Sequence, residues 1–115
     1  MSVKEEVQAL LKSERTVRVD PVLESLVPRF LENRKRDVAA LYGALGDGDF
    51  TTIGSIGHAM KGTGGGYGFH AISALGKEIE DAARAEDGVG ATQWITALED
   101  YLKRVKVLYE EPETP

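Results

Sequence analysis

His58 is followed three residues later by a lysine, Lys61, and then by a glycine, Gly62. A neutral imidazole, with an unperturbed pKa of ~6.5, is a good nitrogen nucleophile near neutral pH. On a helix, positions three apart bring their Cβ atoms to ~5–6 Å, so the Lys61 ammonium could reach a phosphate carried on His58. Phosphoryl transfer suits such a pair. It needs in-line approach and neutralised charge on the equatorial oxygens, with little covalent help from protein. Gly62 at i+4 and Gly65 at i+7 leave the same face open to a second protein bringing the donor phosphate. No neighbouring residue reads as a general base for hydrolysis, so a phosphorylated His58 would wait for an acceptor. The other histidine, His70, has no Lys-Gly after it and reads as a solvated residue at a helix start.

Composition narrows the alternatives. The chain of 115 residues carries a net charge of −5, with 42% hydrophobic and 29% charged residues, the profile of one globular domain. Without cysteine it has no disulfide, thiolate metal site or cysteine nucleophile, and two histidines are too few to expect a zinc centre. The acidic balance argues against nucleic acid as a partner. No apolar run approaches the ~20 residues of a membrane span, and the charged first twenty residues do not read as a signal peptide. A cytoplasmic location is expected.

Four stretches show helical spacing, while strand signals are almost missing. Asp20-Pro21 is a start signal. Leu23, Val27, Phe30, Val38, Leu41 and Leu45 follow as one stripe, and Pro28 predicts a short helix or kink before a long helix over about 28–45. Gly46-Asp47-Gly48-Asp49 turns the chain into a second helix with Phe50, Ile53, Ile56 and Met60 inward. A third runs from about Phe69 to Ala85 on Phe69, Ile72, Leu75, Ile79 and Ala82 or Ala83. The last carries Trp94, Leu98, Tyr101, Val105 and Leu108. Short connections favour an antiparallel, up-down four-helix bundle of all-α class. Residues 1–19 form an extension with a short amphipathic helix through Val7, Leu10 and Leu11, the bundle spans 20–109, and 110–115 is a frayed tail.

Seven of the thirteen glycines fall between Gly54 and Gly68, although each interior glycine costs a helix ~1 kcal/mol relative to alanine. On a helical wheel His58 points away from Ile53, Ile56 and Met60. Its outward face is shared with Thr51, Gly54, Ser55, Lys61, Gly62 and Gly65, all small but for the lysine. An ordinary solvated face would carry Glu, Lys and Gln. Bulk is missing where a partner would approach.

His58-Ala59-Met60-Lys61-Gly62, with Gly68-Phe69 ten and eleven residues beyond the histidine, resembles the signature of histidine-containing phosphotransfer (HPt) domains. The resemblance covers about residues 20–108. It implies a bundle relaying phosphate between aspartates of receiver domains, in response regulators or hybrid histidine kinases. By residue it implies His58 as phospho-acceptor, Lys61 as the phosphate-stabilising cation, Gly62 as the residue keeping the site open, and Gly68 as the turn into the next helix. Thr51, Gly54, Ser55 and Gly65 would border the partner. Gly64-Gly65-Gly66 departs from the usual alanine and serine mixture there. No ATP-binding region accompanies the motif, so a stand-alone monomeric carrier is expected. It would have no autonomous activity, cofactor or metal, the Mg²⁺ being on the receiver.

Other readings compete. Gly66-Tyr67-Gly68-Phe69-His70-Ala71 fits the dinucleotide pattern G-x-G-x-x-G/A, which requires a preceding strand and a βαβ unit. A P-loop fails, because Lys61 is not followed by Ser or Thr. Arg34-Lys35-Arg36 with Arg29 reads either as a basic patch or as a solvated helix face. A helical adaptor without phosphotransfer is the remaining alternative.

Overall fold

Three aspartates begin elements by accepting a backbone N–H that a helix start leaves without a partner. Asp20 accepts from Val22 at 2.9 Å, Asp49 from Thr52 at 3.0 Å and Asp87 from Gly90 at 2.9 Å. The side-chain and backbone hydrogen bonds from Thr52 hold the Asp49 carboxyl below its usual range. The computed structural model describes residues 2–111. In chain order it comprises α1 (Val3–Ser13), β1 (Thr16–Val19), a 3-10 turn (Pro21–Leu23), α2 (Val27–Gly46) and α3 (Phe50–Thr63). A second 3-10 turn (Gly65–Tyr67), α4 (His70–Arg84), α5 (Gly88–Arg104) and β2 (Lys106–Tyr109) complete it. The protein is mostly helical, and no helix among the described residues is long and apolar enough to cross a membrane.

Both α2 and α4 pack against α3 and α5, so each of the four long helices has two neighbours around one core. Leu41, Ile53, Met60, Ile72, Leu75, Ile79, Ile95, Leu98 and Tyr101 are completely buried there. Phe50 and Ile56 are only partly buried at its edge. At the C-terminal end of α3, Phe30 stacks on Tyr67 and Phe69 with ring centroids 4.3 and 5.6 Å apart. Arg34 lies over the Phe30 ring and donates to Thr63 Oγ1 at 3.3 Å. It is therefore a packing residue rather than part of a free basic patch.

The all-α expectation needs two corrections. The last helix stops at Arg104, where Val105 turns extended (ψ 134°), instead of continuing to Leu108. Lys106–Tyr109 then pairs in parallel with Thr16–Val19, from Thr16 opposite Lys106 to Val19 opposite Tyr109. Val105 and Leu108 continued a helical spacing, yet the partly buried residues are Val105, Val107 and Tyr109, the alternation of a strand. Four-residue strands are too short for that alternation to stand out in sequence. Residues 110–115 were expected to fray, but the Glu110 amide donates to the Val19 carbonyl at 3.1 Å. Residues 112–115 lie outside the described residues.

The N-terminal extension is part of the core. Val7 and Leu11 of α1 and Val17 and Val19 of β1 are buried in it. Arg104 donates to the Leu11 carbonyl at 2.8 Å. Phe69 supplies no side-chain cap to α4, and Glu14 takes that place: its carboxylate accepts from the amides of His70 (3.0 Å) and Ala71 (2.8 Å) and from the Tyr101 hydroxyl (2.6 Å). Burial first, and Glu14 second, raise the Tyr101 phenol far above its ordinary range, so it stays a donor.

Candidate functional site

Where α3 crosses α4, glycines let the two backbones touch. A Cβ on Gly57 would meet the Glu80 amide nitrogen and the Gly76 carbonyl oxygen, each at 2.8 Å. One on Gly76 would meet the Lys61 amide nitrogen at 2.6 Å and the Gly57 oxygen at 2.7 Å, and one on Gly64 the Ser73 amide nitrogen at 2.7 Å. Any side chain at these positions would force the helices apart. The close approach brings the side chain of Glu80, on α4, up to His58 and Lys61 on α3.

Glu80 is the one charged residue that is buried among the described residues. A carboxylate removed from water must be paired, and here three cationic or polar groups pair it. Lys61 Nζ donates to Oε1 at 2.9 Å, His58 Nδ1 lies 2.8 Å from Oε2, and Arg84 Nη2 is 3.6 Å from the same Oε2. The Lys61 hydrogen bond, helped by His58 and opposed by burial, holds the Glu80 carboxyl below the usual carboxylate range. An ionised carboxylate only accepts, so the proton in the His58–Glu80 bond belongs to Nδ1. The free lone pair of the neutral ring is therefore on Nε2. That side chain is 69% exposed, and an imidazole so placed, with its tautomer set by Glu80, has the chemistry of a candidate nucleophile at Nε2.

Beside the imidazole lies an open groove of about 630 Å³ between α3 and α4, lined by Thr51, Gly54, Ser55, His58, Glu80 and Arg84 among others. Its floor is low because Gly54 has no side chain there; a Cβ on it would meet the Ala83 methyl at 3.6 Å. Gly62 is exposed, and a Cβ there would meet nothing within 4 Å. Lys61 is on this face but is tied to Glu80. Gly65 was expected on the same helical face, yet α3 ends at Thr63. Gly65 sits in the following 3-10 turn with its amide donating to Ser73 Oγ at 2.7 Å. Gly68, with φ +91°, closes that turn into α4. His70 is exposed at the first turn of α4, outside the groove.

Local spacing places no carboxylate near His58; Glu80, 22 residues further along the chain, is brought there only by the fold. A signal was present: Glu80 lies one turn beyond Gly76 and next to the Leu75–Ile79–Ala83 stripe, where an unpartnered carboxylate would be costly. Arg84, a further turn along α4, is brought there with it. The dinucleotide pattern loses its required context, because helix α3 and not a strand precedes Gly66, and β1 and β2 are the only strands among the described residues.

The family model of the Hpt domain matches residues 25–107. No curated protein and no solved structure shows significant similarity to the chain. Hpt domains are the phosphocarrier modules that exchange phosphoryl groups with receiver domains in two-component phosphorelays. With that match spanning α2 to α5 and the His58-x-x-Lys61-Gly62 motif on α3, the chain belongs to the Hpt domain family.

Proposed function

We propose that this chain is a phosphorelay intermediate. His58 takes a phosphoryl group from the aspartyl phosphate of one receiver domain and passes it to the aspartate of another. The observation that carries this reading is the exposed imidazole whose Nδ1 is held by Glu80, leaving Nε2 free above an open groove. We read α2–α5 as an up-down antiparallel bundle, since its connections span only residues 47–49, 64–69 and 85–87. The protein acts as a monomer that meets one receiver at a time.

The Nε2 lone pair attacks phosphorus in line, the N–P bond forms, and the P–O bond to the aspartyl carboxylate breaks with its electrons leaving on oxygen. The ring becomes an imidazolium, and its Nδ1 proton stays in the hydrogen bond to Glu80, whose negative charge stabilises it. Keeping the ring cationic keeps nitrogen a good leaving group for the return step. Lys61 leaves Glu80 for the phosphoryl oxygens. Mg²⁺ belongs to the receiver, because the carboxylate on His58 is already saturated by cationic donors and does not suit a divalent cation. Thr51, Gly54, Ser55 and Gly62 leave room for the receiver, and His58, Lys61 and Glu80 do the chemistry.

Incubation with a phosphorylated receiver should yield an acid-labile, alkali-stable phosphate on this chain. His58→Gln should abolish it and His70→Gln should not. A His58→Gln chain that still takes label discards the site, and a wild-type chain that takes none leaves the adaptor reading.

A further inference from the structure

Among the described residues β2 has one backbone partner, β1, and is therefore an edge of the sheet. The Lys106 and Glu110 amides donate to the Arg15 and Val19 carbonyls. Backbone groups alternate along a strand, so the amides and carbonyls of Val107 and Tyr109 point away from β1. The outer edge of β1 is covered instead, since a Cβ on Gly68 would meet the Arg18 carbonyl oxygen at 3.7 Å. On the outer face of the sheet β2 shows Lys106, Leu108 and Glu110, all exposed, with Leu108 at 46%. An open edge is a template for another strand, and a lysine on it usually keeps that strand away. Here the charge of Lys106 is answered by Glu110 on the same face, one side chain beyond Leu108.

We infer that β2 pairs antiparallel with β2 of a second copy of this chain, about a twofold axis at Leu108, with a β1 on each outer side. The strand is self-complementary about that residue, as a symmetric contact requires. Lys106 faces Glu110 of the second copy, Val107 faces its Tyr109, and Leu108 faces Leu108. Each Val107–Tyr109 pair falls where outward amides and carbonyls meet, and exchanges both N–H···O bonds. A slip by two residues would set Leu108 against Lys106 or Glu110 and lose the ion pairs, so charge selects the register. Arg18 takes Glu110 Oε2 at 3.5 Å and leaves Oε1 for the second cation. So short an interface is weak, with a dissociation constant on the order of 100 µM. At lower concentrations the single chain meets a receiver alone. The sheet rests on Gly68 at the start of α4, about three turns from Glu80, so the groove beside His58 stays open in the pair.

Sedimentation equilibrium of the full chain, from about 20 µM to about 1 mM, should show a monomer–dimer equilibrium. Lys106→Glu sets like charges opposite each other on both sides of the axis and should weaken association about tenfold, as should Glu110→Lys. The decisive sample is an equimolar mixture of these two variants. There the introduced glutamate of one chain meets the introduced lysine of the other, and the native Glu110 of the first meets the native Lys106 of the second. Association should return to within about twofold of the wild type, a recovery that damage to the fold would not give. A wild type that stays monomeric up to about 1 mM overturns the inference and leaves the edge to an extended segment of another protein. Single variants that associate as tightly as the wild type overturn it as well, and so does a mixture that associates no better than either variant alone.

Discussion

His58 Nδ1 and Glu80 Oε2 stand 2.8 Å apart across the contact between α3 and α4, although 22 residues separate them in the chain. In the proposed transfer, this bond decides which nitrogen reacts. With Nδ1 protonated and directed at a carboxylate, only Nε2 presents a lone pair, and the charge gained by the ring has a counter-ion waiting.

Glu80→Gln keeps the size of the side chain and removes its charge. The amide can present either its oxygen or its NH₂ to Nδ1, so the tautomer is no longer imposed. Phosphorylation of His58 should slow by on the order of tenfold, or more if the imidazolium depends strongly on its counter-ion. Phosphorus NMR should find the phosphoryl group on Nε2 alone in the wild type, and on both nitrogens in the variant. An unchanged rate with a single Nε2 resonance would show that Glu80 serves packing only.

The same carboxylate sets a pH dependence. Its folded pKa lies below the unfolded value, chiefly through the Lys61 hydrogen bond. Its contribution to stability is therefore fully present above the unfolded carboxylate pKa of ~4.3, and is lost as pH falls through the lower folded value. Urea midpoints of the wild type and Glu80→Gln should differ at pH 7 and converge as the pH approaches 3. A gap that stays constant across that range would mean the pairing of Glu80 carries no linked protonation.

Glycines on the two helices should respond with opposite signs. Gly76→Ala forces a methyl against the Lys61 amide and Gly57 carbonyl, both less than 3 Å away. Backbone cannot move aside as a flexible side chain would. The overpacking should destabilise by about 2 kcal/mol or more, outweighing the ~1 kcal/mol that alanine adds to a helix interior. Gly62→Ala meets nothing within 4 Å, so the helical preference should prevail and stability should rise by a few tenths to ~1 kcal/mol. Chemical denaturation of both variants decides the point, and two shifts of the same sign would contradict the packing described for α3 and α4.

The helices, the exposed histidine and its lysine were legible because each rests on local spacing. Ile53 and Met60 mark the buried side of α3, and one rotation places His58 opposite. What stayed hidden depends on contacts between distant segments. Glu80 could be assigned to His58 only once Gly57 and Gly76 were known to let the backbones touch, and a glycine that packs looks the same in sequence as one that leaves space. Gly65 departs from the helical face its spacing predicts because α3 ends at Thr63 and the chain tightens into a 3-10 turn. The pairing of Thr16–Val19 with Lys106–Tyr109 joins opposite ends of the chain through four residues each, too few for a periodic signal.

Glu14 tests how firmly the N-terminal extension belongs to the bundle. Its two oxygens satisfy the His70 and Ala71 amides, which start α4 without a cap of their own, and the hydroxyl of the fully buried Tyr101. Glu14→Ala strands all three donors. A lost cap is worth ~0.5–2 kcal/mol and a buried hydroxyl without a partner ~1–3 kcal/mol, so the variant should lose about 2–4 kcal/mol of unfolding free energy. Tyr101→Phe leaves the carboxylate with both amides and should cost about 1 kcal/mol. The two losses should not add in the double variant, because Tyr101→Phe removes the donor that Glu14→Ala would strand. Glu14 caps the first turn of α4, whereas Glu80 lies about three turns along the same helix. Labelling of His58, measured well below the unfolding transition, should therefore proceed at the wild-type rate in Glu14→Ala. A loss of less than 1 kcal/mol would mean that water replaces Glu14 at the start of α4, and the extension would then be an appendage of the bundle and not one of its supports.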